Sequence, residues 1–166
     1  MIVRSFAPVA APDASVLILG SMPGKASLAA GEYYAHPRNL FWNLMGELLG
    51  AGPDVSYRDR LERLKLHRIA LWDVIAECER DSALDSDIVE ASIVANDFAS
   101  FFAQHPSIHR VYFNGALAEQ AFRKHVLPRL PRELHLSMLR LPSTSPANAG
   151  IAKAEKLAAW RQILPA

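Results

Sequence analysis

The sequence contains little of what would define several other classes of protein. It has one cysteine, Cys78, in 166 residues, which excludes an internal disulfide and any zinc site or iron–sulfur cluster made of cysteines alone. No apolar run approaches the ~20 residues that a membrane-spanning helix needs. The first residues, MIVRSFAPVAAPDAS, are a poor signal peptide because prolines interrupt the apolar segment. These absences predict an intracellular protein in which Cys78 is a small buried hydrophobic residue.

Charge is nearly balanced overall but uneven along the chain. The formal net charge is +1 at pH 7. Residues 1–52 hold three basic and three acidic side chains, residues 53–100 hold six and eleven, and residues 101–166 hold nine and three. A basic surface on one side is what a protein needs to bind a phosphate backbone. Charge counts alone nevertheless favour an ordinary solvated surface.

Apolar runs alternate between strand-like and helix-like patterns. Four short runs are predicted as strands, at Ser15–Gly20, Ile69–Val74, Arg110–Phe113 and Met138–Leu141. Helices are predicted at Leu40–Leu49, Tyr57–Leu66, Ile88–Gln104 with a break near Asn96, Gly115–His125 and Pro146–Ile163, with a polar loop at Glu77–Asp87. Short apolar strands separated by helices indicate a parallel sheet covered on both faces. We therefore predict one α/β domain over residues 1–166, with three α/β/α layers around a four-stranded parallel sheet.

The carboxyl ends of the predicted strands gather polar and glycine-rich segments. Gly20–Gly24, Asp73, Asn114 and Leu141–Asn148 each lie where a strand ends. Open α/β sheets bind ligands in the crevice beyond these ends. The segment of about fifteen residues after the first strand is long for a loop in a compact domain, and loops of that length are usually functional. We therefore predict a ligand site at this edge of the sheet.

Three segments carry a family resemblance: GSMPG at 20–24, YYAHPRNLFW at 33–42 and LPSTSPAN at 141–148. Together they resemble the uracil-DNA glycosylase superfamily, and within it the hypoxanthine-DNA glycosylase branch. The segment LWDVIAECERDSALDSDI at 71–88 also resembles that branch, so the similarity covers the whole chain. It implies a uracil-DNA glycosylase-like fold and an enzyme that flips a base into a pocket, hydrolyses its N-glycosidic bond and leaves an abasic site.

The resemblance implies a base-binding pocket and no metal or cofactor. Tyr34 aligns with the aromatic residue that stacks on the base, with Tyr33 as the alternative, although both could simply pack under the loop. His36 could donate a hydrogen bond to the base or a phosphate, or serve the loop, and Asn114 could contact the base or only form a turn. Glycines at the first segment would let the backbone approach a ligand closely. The expected pocket residues are Gly20, Ser21, Met22, Pro23, Gly24, Tyr33, Tyr34, His36 and Asn114.

One departure from the better-known branches affects the catalytic assignment. Their first motif has an Asp or Asn that positions the water, whereas this chain has Met22, which cannot do so. The hypoxanthine branch implies that Asn39 is catalytic, because its carboxamide can accept a hydrogen bond from a water. Asn39 could also cap the helix at Leu40, and the two roles are compatible. Since Asn39 is no strong base, the mechanism should be dissociative, with donors stabilising the departing base anion. Phe41 and Trp42 are expected in the core.

The third segment is expected to contact DNA. Its hydroxyl groups can bind phosphates near the N-terminus of the last helix, and an apolar residue would fill the gap that the flipped base leaves. Lys25 is expected to contact phosphate or solvent, so no Schiff-base lyase step is predicted. The expected DNA-binding residues are Lys25, Ser143, Thr144, Ser145, Pro146, Ala147 and Asn148. The partner would be DNA with a deaminated base, bound by a monomer in the cytoplasm at the nucleoid.

Three alternatives stay open at this point. Uracil in mismatches could replace hypoxanthine as the substrate, because a sequence does not give the size of a pocket. A non-catalytic module that binds nucleic acid or nucleotides is favoured by Met22, since fold does not imply function. A small-molecule hydrolase with Ser21 as the nucleophile is disfavoured, because GSMPG lacks the nucleophile-elbow pattern.

Overall fold

A computed structural model of the protein describes residues 1–82 and 84–165. The strands in this part of the chain are β1 (Ile2–Arg4), β2 (Val16–Gly20), β3 (Ile69–Asp73), β4 (Ile75–Glu79), β5 (Val94–Ala95), β6 (Arg110–Asn114) and β7 (Ser137–Leu141). The helices are α1 (Lys25–Ala30), α2 (Phe41–Leu49), α3 (Tyr57–Leu66), α4 (Phe98–Gln104), α5 (Ala116–His125) and α6 (Lys153–Trp160). Short 3₁₀ turns lie at Asp85–Asp87, Glu90–Ser92, Leu127–Arg129, Pro146–Asn148 and Arg161–Ile163.

The central sheet has four parallel strands in the order β3-β2-β6-β7. Every residue of β2 and β3 is buried, as expected for strands covered on both faces. One face packs against α4 and α5 through phenylalanines such as Phe98 and Phe122. The other face packs against α2 and α6 through Phe41, Trp42 and Trp160. The predicted three-layer α/β/α architecture is therefore confirmed, and Phe41 and Trp42 lie in the core as expected.

Parallel pairing brings the four strand ends to one edge of the sheet. Gly20 lies opposite Asp73 in the β2–β3 pair, and Asn114 lies opposite Leu141 in the β6–β7 pair. Among the described residues, no helix has both the length and the hydropathy needed to cross a membrane. Cys78 is a free, buried thiol, as predicted.

The region between β3 and α4 differs from the prediction. The expected loop at Glu77–Asp87 begins inside strand β4, which pairs antiparallel with β1 and with β5 in a second, three-stranded sheet. The predicted helix Ile88–Gln104 is wrong before Phe98, because that part forms a 3₁₀ turn at Glu90–Ser92 and strand β5. The helix starts late because Asp97 caps it, accepting a hydrogen bond from the Ser100 amide at 3.1 Å.

Two other boundaries were also predicted wrongly. The long loop after β2 contains helix α1, which ends at Gly31 in the left-handed region with φ of 67°. The predicted helix from Pro146 forms only a 3₁₀ turn, capped by Ser145, and α6 begins at Lys153. The N-terminus of α6 therefore does not coincide with the Ser145–Pro146 start that the sequence predicted.

Candidate active site

A cavity of about 980 Å³ opens at the carboxyl edge of the central sheet. Its volume is at the upper end of the range of ligand pockets. All the residues that the sequence predicted for the site line this cavity: Gly20, Ser21, Met22, Pro23, Gly24, Lys25, Tyr33, Tyr34, His36, Asn39, Asn114, Ser143, Thr144, Ser145, Pro146, Ala147 and Asn148. Asp73, Leu84, Asp85 and Arg140 line it as well. The three sequence segments therefore meet around one space.

Gly20 forms a tightly packed part of the cavity wall. A Cβ atom placed on Gly20 would lie 2.5 Å from Asp73 Oδ1 and 2.8 Å from the Tyr34 hydroxyl oxygen. Any residue other than glycine would displace one of these groups. Gly24 differs, because a Cβ there would meet no atom within 4 Å. Packing within the protein therefore favours glycine at position 20, whereas no neighbouring atom opposes a Cβ at position 24.

Tyr34 lines the cavity and has an unusual backbone conformation. Its φ is 54°, a left-handed conformation that is uncommon for an aromatic residue and that concentrates at functional sites. One ring face stacks on Phe41, with 4.1 Å between the ring centroids. The Tyr34 hydroxyl is buried without a partner among the described residues, and burial raises the pKa of that hydroxyl.

Tyr33 belongs instead to the core next to the cavity. It is buried, and its hydroxyl donates to the Ala7 carbonyl at 2.8 Å. Its carbonyl accepts a hydrogen bond from Trp42 Nε1 at 2.8 Å. Burial raises the pKa of the Tyr33 hydroxyl, so the group is a neutral donor. These contacts hold the start of the 33–42 segment in place and leave Tyr34 as the aromatic residue available to a ligand.

Asn39 and His36 lie in the turn before α2. Leu40, and not Asn39, occupies the N-cap position of α2. Asn39 Oδ1 accepts a hydrogen bond from the Phe41 amide at 2.9 Å, so the side chain fixes the turn in front of the helix. A carbonyl oxygen has a second lone pair, which remains for a water. His36 Nδ1 accepts a hydrogen bond from the Arg38 amide at 3.0 Å. The ring proton of His36 therefore lies on Nε2, where it can be donated to a ligand.

The first segment is held by contacts that the sequence did not predict. The Ser21 hydroxyl donates to Asp85 Oδ2 at 2.9 Å, and the buried Arg80 donates from Nη2 to the Pro23 carbonyl at 2.6 Å. The Met22 side chain is buried in the core cluster under the loop. Met22 can therefore offer only backbone atoms to a ligand. Arg80 and Asp85 both belong to the 71–88 segment that carries part of the resemblance, but only the fold shows that they hold the first segment.

The 141–148 segment is fixed from two sides. Asn114 Nδ2 donates to the Thr144 hydroxyl, and the Thr144 amide donates to Asn114 Oδ1, both at 2.9 Å. The Thr144 carbonyl accepts from the Leu40 amide at 3.0 Å, which links this segment to the one that carries Asn39. Thr144 is buried and its hydroxyl oxygen accepts the Asn114 hydrogen bond, so this side chain helps to fix the shape of the loop.

Helix α6 supplies the second support of this segment. Lys156 Nζ donates to the Asn148 carbonyl and Trp160 Nε1 donates to the Pro142 carbonyl, each at 2.9 Å. Ser143 and Ser145 are partly buried, and their hydroxyl oxygens accept amide hydrogen bonds within the loop. Their hydroxyl protons remain available for donation. Pro146, Ala147 and Asn148 form the 3₁₀ turn at the mouth of the cavity.

Basic side chains reach the cavity from different parts of the chain. Lys25, Arg38 and Arg140 line it. Basic residues of the 101–166 segment form ion pairs, such as Lys124 with Glu90 at 2.7 Å and Arg140 with Glu119 at 3.7 Å. Among the described residues, Arg140 is the one basic residue of this segment that lines the cavity. Within residues 1–82 and 84–165, no three His, Cys, Asp or Glu side chains are grouped so as to hold a metal ion.

Asp73 is the site residue to which sequence reasoning gave too little weight. Its side chain is buried at the end of β3, and Oδ2 has no hydrogen-bond partner among the described residues. Burial, with a smaller contribution from the nearby negative charge of Asp85, raises the pKa of the Asp73 carboxyl to about 7. Its position at a strand end was visible in the sequence, but its unpartnered burial was not.

Comparison with known proteins confirms the family resemblance. The family model of the uracil DNA glycosylase superfamily matches residues 7–164. A Methanosarcina acetivorans protein named hypoxanthine DNA glycosylase is 35% identical over 154 residues, which cover 92% of each chain. A Methanosarcina barkeri protein of the same name is 38% identical over 113 residues, covering 68% of this chain and 70% of the other.

A solved structure is similar over the whole length. It is the solution NMR structure of a candidate uracil DNA glycosylase from Methanosarcina acetivorans, with a TM-score of 0.75 and 33% sequence identity. The match covers 98% of this chain and 99% of that one. The fold, the three segments around one cavity and the family match lead to one conclusion: the chain belongs to the uracil DNA glycosylase superfamily.

Proposed function

We propose that the protein is a monofunctional DNA glycosylase that excises hypoxanthine from deoxyinosine and leaves an abasic site. The observation that carries the proposal is the cavity at the sheet edge, where Tyr34, Asn39 and the 141–148 segment meet. The two relatives named hypoxanthine DNA glycosylase support this choice of base over uracil.

The cavity supports recognition of a base that has left the helix. A flipped base must be stacked and held at its edges. The base would stack on the face of Tyr34 opposite Phe41, which already covers the other face at 4.1 Å. His36 would donate from Nε2, because its Nδ1 is occupied by the Arg38 amide. Gly20 keeps this wall of the pocket free of a side chain.

Asn39 would position the attacking water. Its Oδ1 is fixed by the Phe41 amide and can accept one further hydrogen bond. An amide is too weak a base to deprotonate water early, so C1′ would develop oxocarbenium character before the water adds. Donors aimed at the base would then stabilise the charge that leaves with it.

The rim of the cavity would contact the DNA backbone. Lys25, Arg38 and Arg140 supply positive charge there, and Ser143 and Ser145 can donate to phosphate oxygens. Pro146 or Ala147 would fill the gap that the flipped base leaves. The protein would act as a monomer on DNA carrying a deaminated base, in the cytoplasm at the nucleoid.

A non-catalytic DNA-binding module is the second candidate, and Met22 is the observation that favours it. Met22 stands where better-known branches carry the residue that positions water, and its side chain is buried in the core. Replacement of Asn39 separates the two functions. An enzyme would lose turnover and keep its affinity for DNA, whereas a binding module would have no turnover to lose.

Matched duplexes with one deoxyinosine or one deoxyuridine test the proposal. After incubation with purified protein, alkali cleaves the strand at each abasic site. We expect cleavage at deoxyinosine and a loss of about 10²-fold or more in rate for Asn39→Ala. Asn39→Ser is the control for stability, because serine can still accept the Phe41 amide. Cleavage only at deoxyuridine would show that the enzyme excises uracil instead of hypoxanthine. Binding of DNA without cleavage of either duplex would favour the non-catalytic DNA-binding module.

A further inference from the structure

Asp73 is a carboxyl group whose burial the fold does not explain. It occupies the last position of β3, next to Gly20 of β2, and lines the cavity. Only 4% of the residue is exposed, and Oδ2 has no hydrogen-bond partner among the described residues. Leaving a polar atom buried without a partner costs about 1–3 kcal/mol. A buried polar group that a protein retains without a hydrogen-bond partner is therefore a candidate for binding a ligand.

The surroundings of Asp73 disfavour its negative charge. The Tyr34 hydroxyl lies on the same side of Gly20 and has no partner of its own. Asp85 approaches from the 85–87 turn and adds a second negative charge, which Arg80 offsets in part. No basic side chain pairs with Asp73 in the described part of the chain. The neutral acid is therefore well populated at neutral pH.

We infer that Asp73 contacts the flipped base as a neutral carboxylic acid and stabilises the base as it departs. The inference rests on the proposed glycosylase function and adds a residue to its machinery. A neutral carboxyl has one donor and one acceptor side by side. A lactam edge, the C=O and adjacent N–H that deamination creates in hypoxanthine, presents the complementary pair.

Charge development explains why the neutral form matters. When the bond between C1′ and N9 breaks, its electron pair leaves with the base. Water adds to C1′, its second proton passes to solvent, and the base takes up a proton after it has left. Asp73 keeps its own proton throughout and donates a hydrogen bond to the negative charge on the base. An ionised Asp73 would repel that charge in a site of low dielectric constant.

The test measures single-turnover excision from a deoxyinosine duplex between pH 5.5 and 8.5, with saturating enzyme. The wild-type rate should fall above about pH 7, approaching tenfold per pH unit, because the ionised form is inactive. Asp73→Asn keeps a neutral donor and acceptor and should remain within about tenfold of wild type at pH 6, without the fall at higher pH. Asp73→Ala should lose about 10²-fold at pH 6.

A second variant tests the inference without altering Asp73. Asp85→Asn removes the neighbouring negative charge, so Asp73 should ionise more readily and the fall in rate should move to lower pH. Asp59→Asn is the matched control, because Asp59 is an exposed carboxylate in the first turn of α3. It should leave the pH profile unchanged.

The outcomes separate this inference from the proposed function. If the wild-type protein releases no base at any pH, the proposed function fails and the inference fails with it. Suppose instead that the wild type cleaves deoxyinosine, that its rate rises through pH 7 and that Asp73→Asn is inactive. The active form of Asp73 would then be the ionised carboxylate, and only the inference would be overturned. It is also overturned if Asp73→Ala cleaves at the wild-type rate, or if Asp85→Asn does not move the profile.

Discussion

Replacing Asp73 with asparagine should make the protein's stability less dependent on pH. The Asp73 carboxyl ordinarily has a pKa of 3.8, and burial raises it to about 7 in the folded protein. The unfolded chain therefore loses this proton near pH 4, while the folded protein keeps it until about pH 7. The contribution of Asp73 to stability is fully present below about pH 4 and is lost as the pH rises to about 7.

The size of this effect follows from the two pKa values. A difference from 3.8 to about 7 corresponds to about 4 kcal/mol of folding free energy. About 3 kcal/mol of it should be lost between pH 5 and pH 8. The side chain is almost wholly buried, so solvent screening reduces this value little. Asparagine has a similar shape and does not ionise, so the unfolding free energy of Asp73→Asn should lack this pH-dependent contribution.

Urea unfolding at pH 5, 6, 7 and 8 would measure the effect for both proteins. The difference in unfolding free energy between Asp73→Asn and wild type should grow by about 3 kcal/mol in favour of the variant from pH 5 to pH 8. Contributions of the other titrating groups cancel in this difference. Parallel pH dependences of the two proteins would refute the argument that Asp73 is buried with a raised pKa.

Two substitutions test the packing of the site. Gly20→Ala should destabilise the protein by about 1–3 kcal/mol in urea unfolding, because the new Cβ meets Asp73 Oδ1 at 2.5 Å. Gly24→Ala is the control, because a Cβ at position 24 meets no atom within 4 Å, and it should not destabilise the protein. Equal stability of the two variants would contradict the tight packing of Gly20 against Asp73 and Tyr34. Asn114→Ala should lower stability by about 1–3 kcal/mol in thermal unfolding, because it removes both hydrogen bonds to Thr144. A cleavage assay should then show a higher KM, and an unchanged KM would mean that Asn114 does not hold the loop.

The two strands β2 and β3 of the central sheet could be predicted because they are continuous apolar runs. Val16–Gly20 and Ile69–Asp73 are buried on both faces, and such strands are recognisable without tertiary information. The small sheet was missed because β1 pairs with β4 across the sequence, with Ile2 opposite Glu79. The apolar residues of 88–95 also fit a helix, and only pairing with β4 makes Val94–Ala95 a strand.

The composition of the site was predictable, but its contacts were not. Position at the strand ends and the three segments identified the residues that line the cavity. The approach of Asp73 and Tyr34 to Gly20 depends on the strand register and on the φ of 54° at Tyr34. Thr144 forms its hydrogen bonds with Asn114 and with the Leu40 amide, which lie far from it in the sequence. A sequence does not specify either arrangement, because both result from long-range packing.

The most direct measurement identifies the products from a duplex with one deoxyinosine. Chromatography with mass detection would quantify the free base, and gel electrophoresis without alkali would show whether the strand stays intact. We expect one free hypoxanthine for each abasic site in an unbroken strand, and little release of base by Asn39→Ala. DNA that is bound without release of base would contradict the glycosylase function. A strand that breaks without alkali would contradict its monofunctional mechanism.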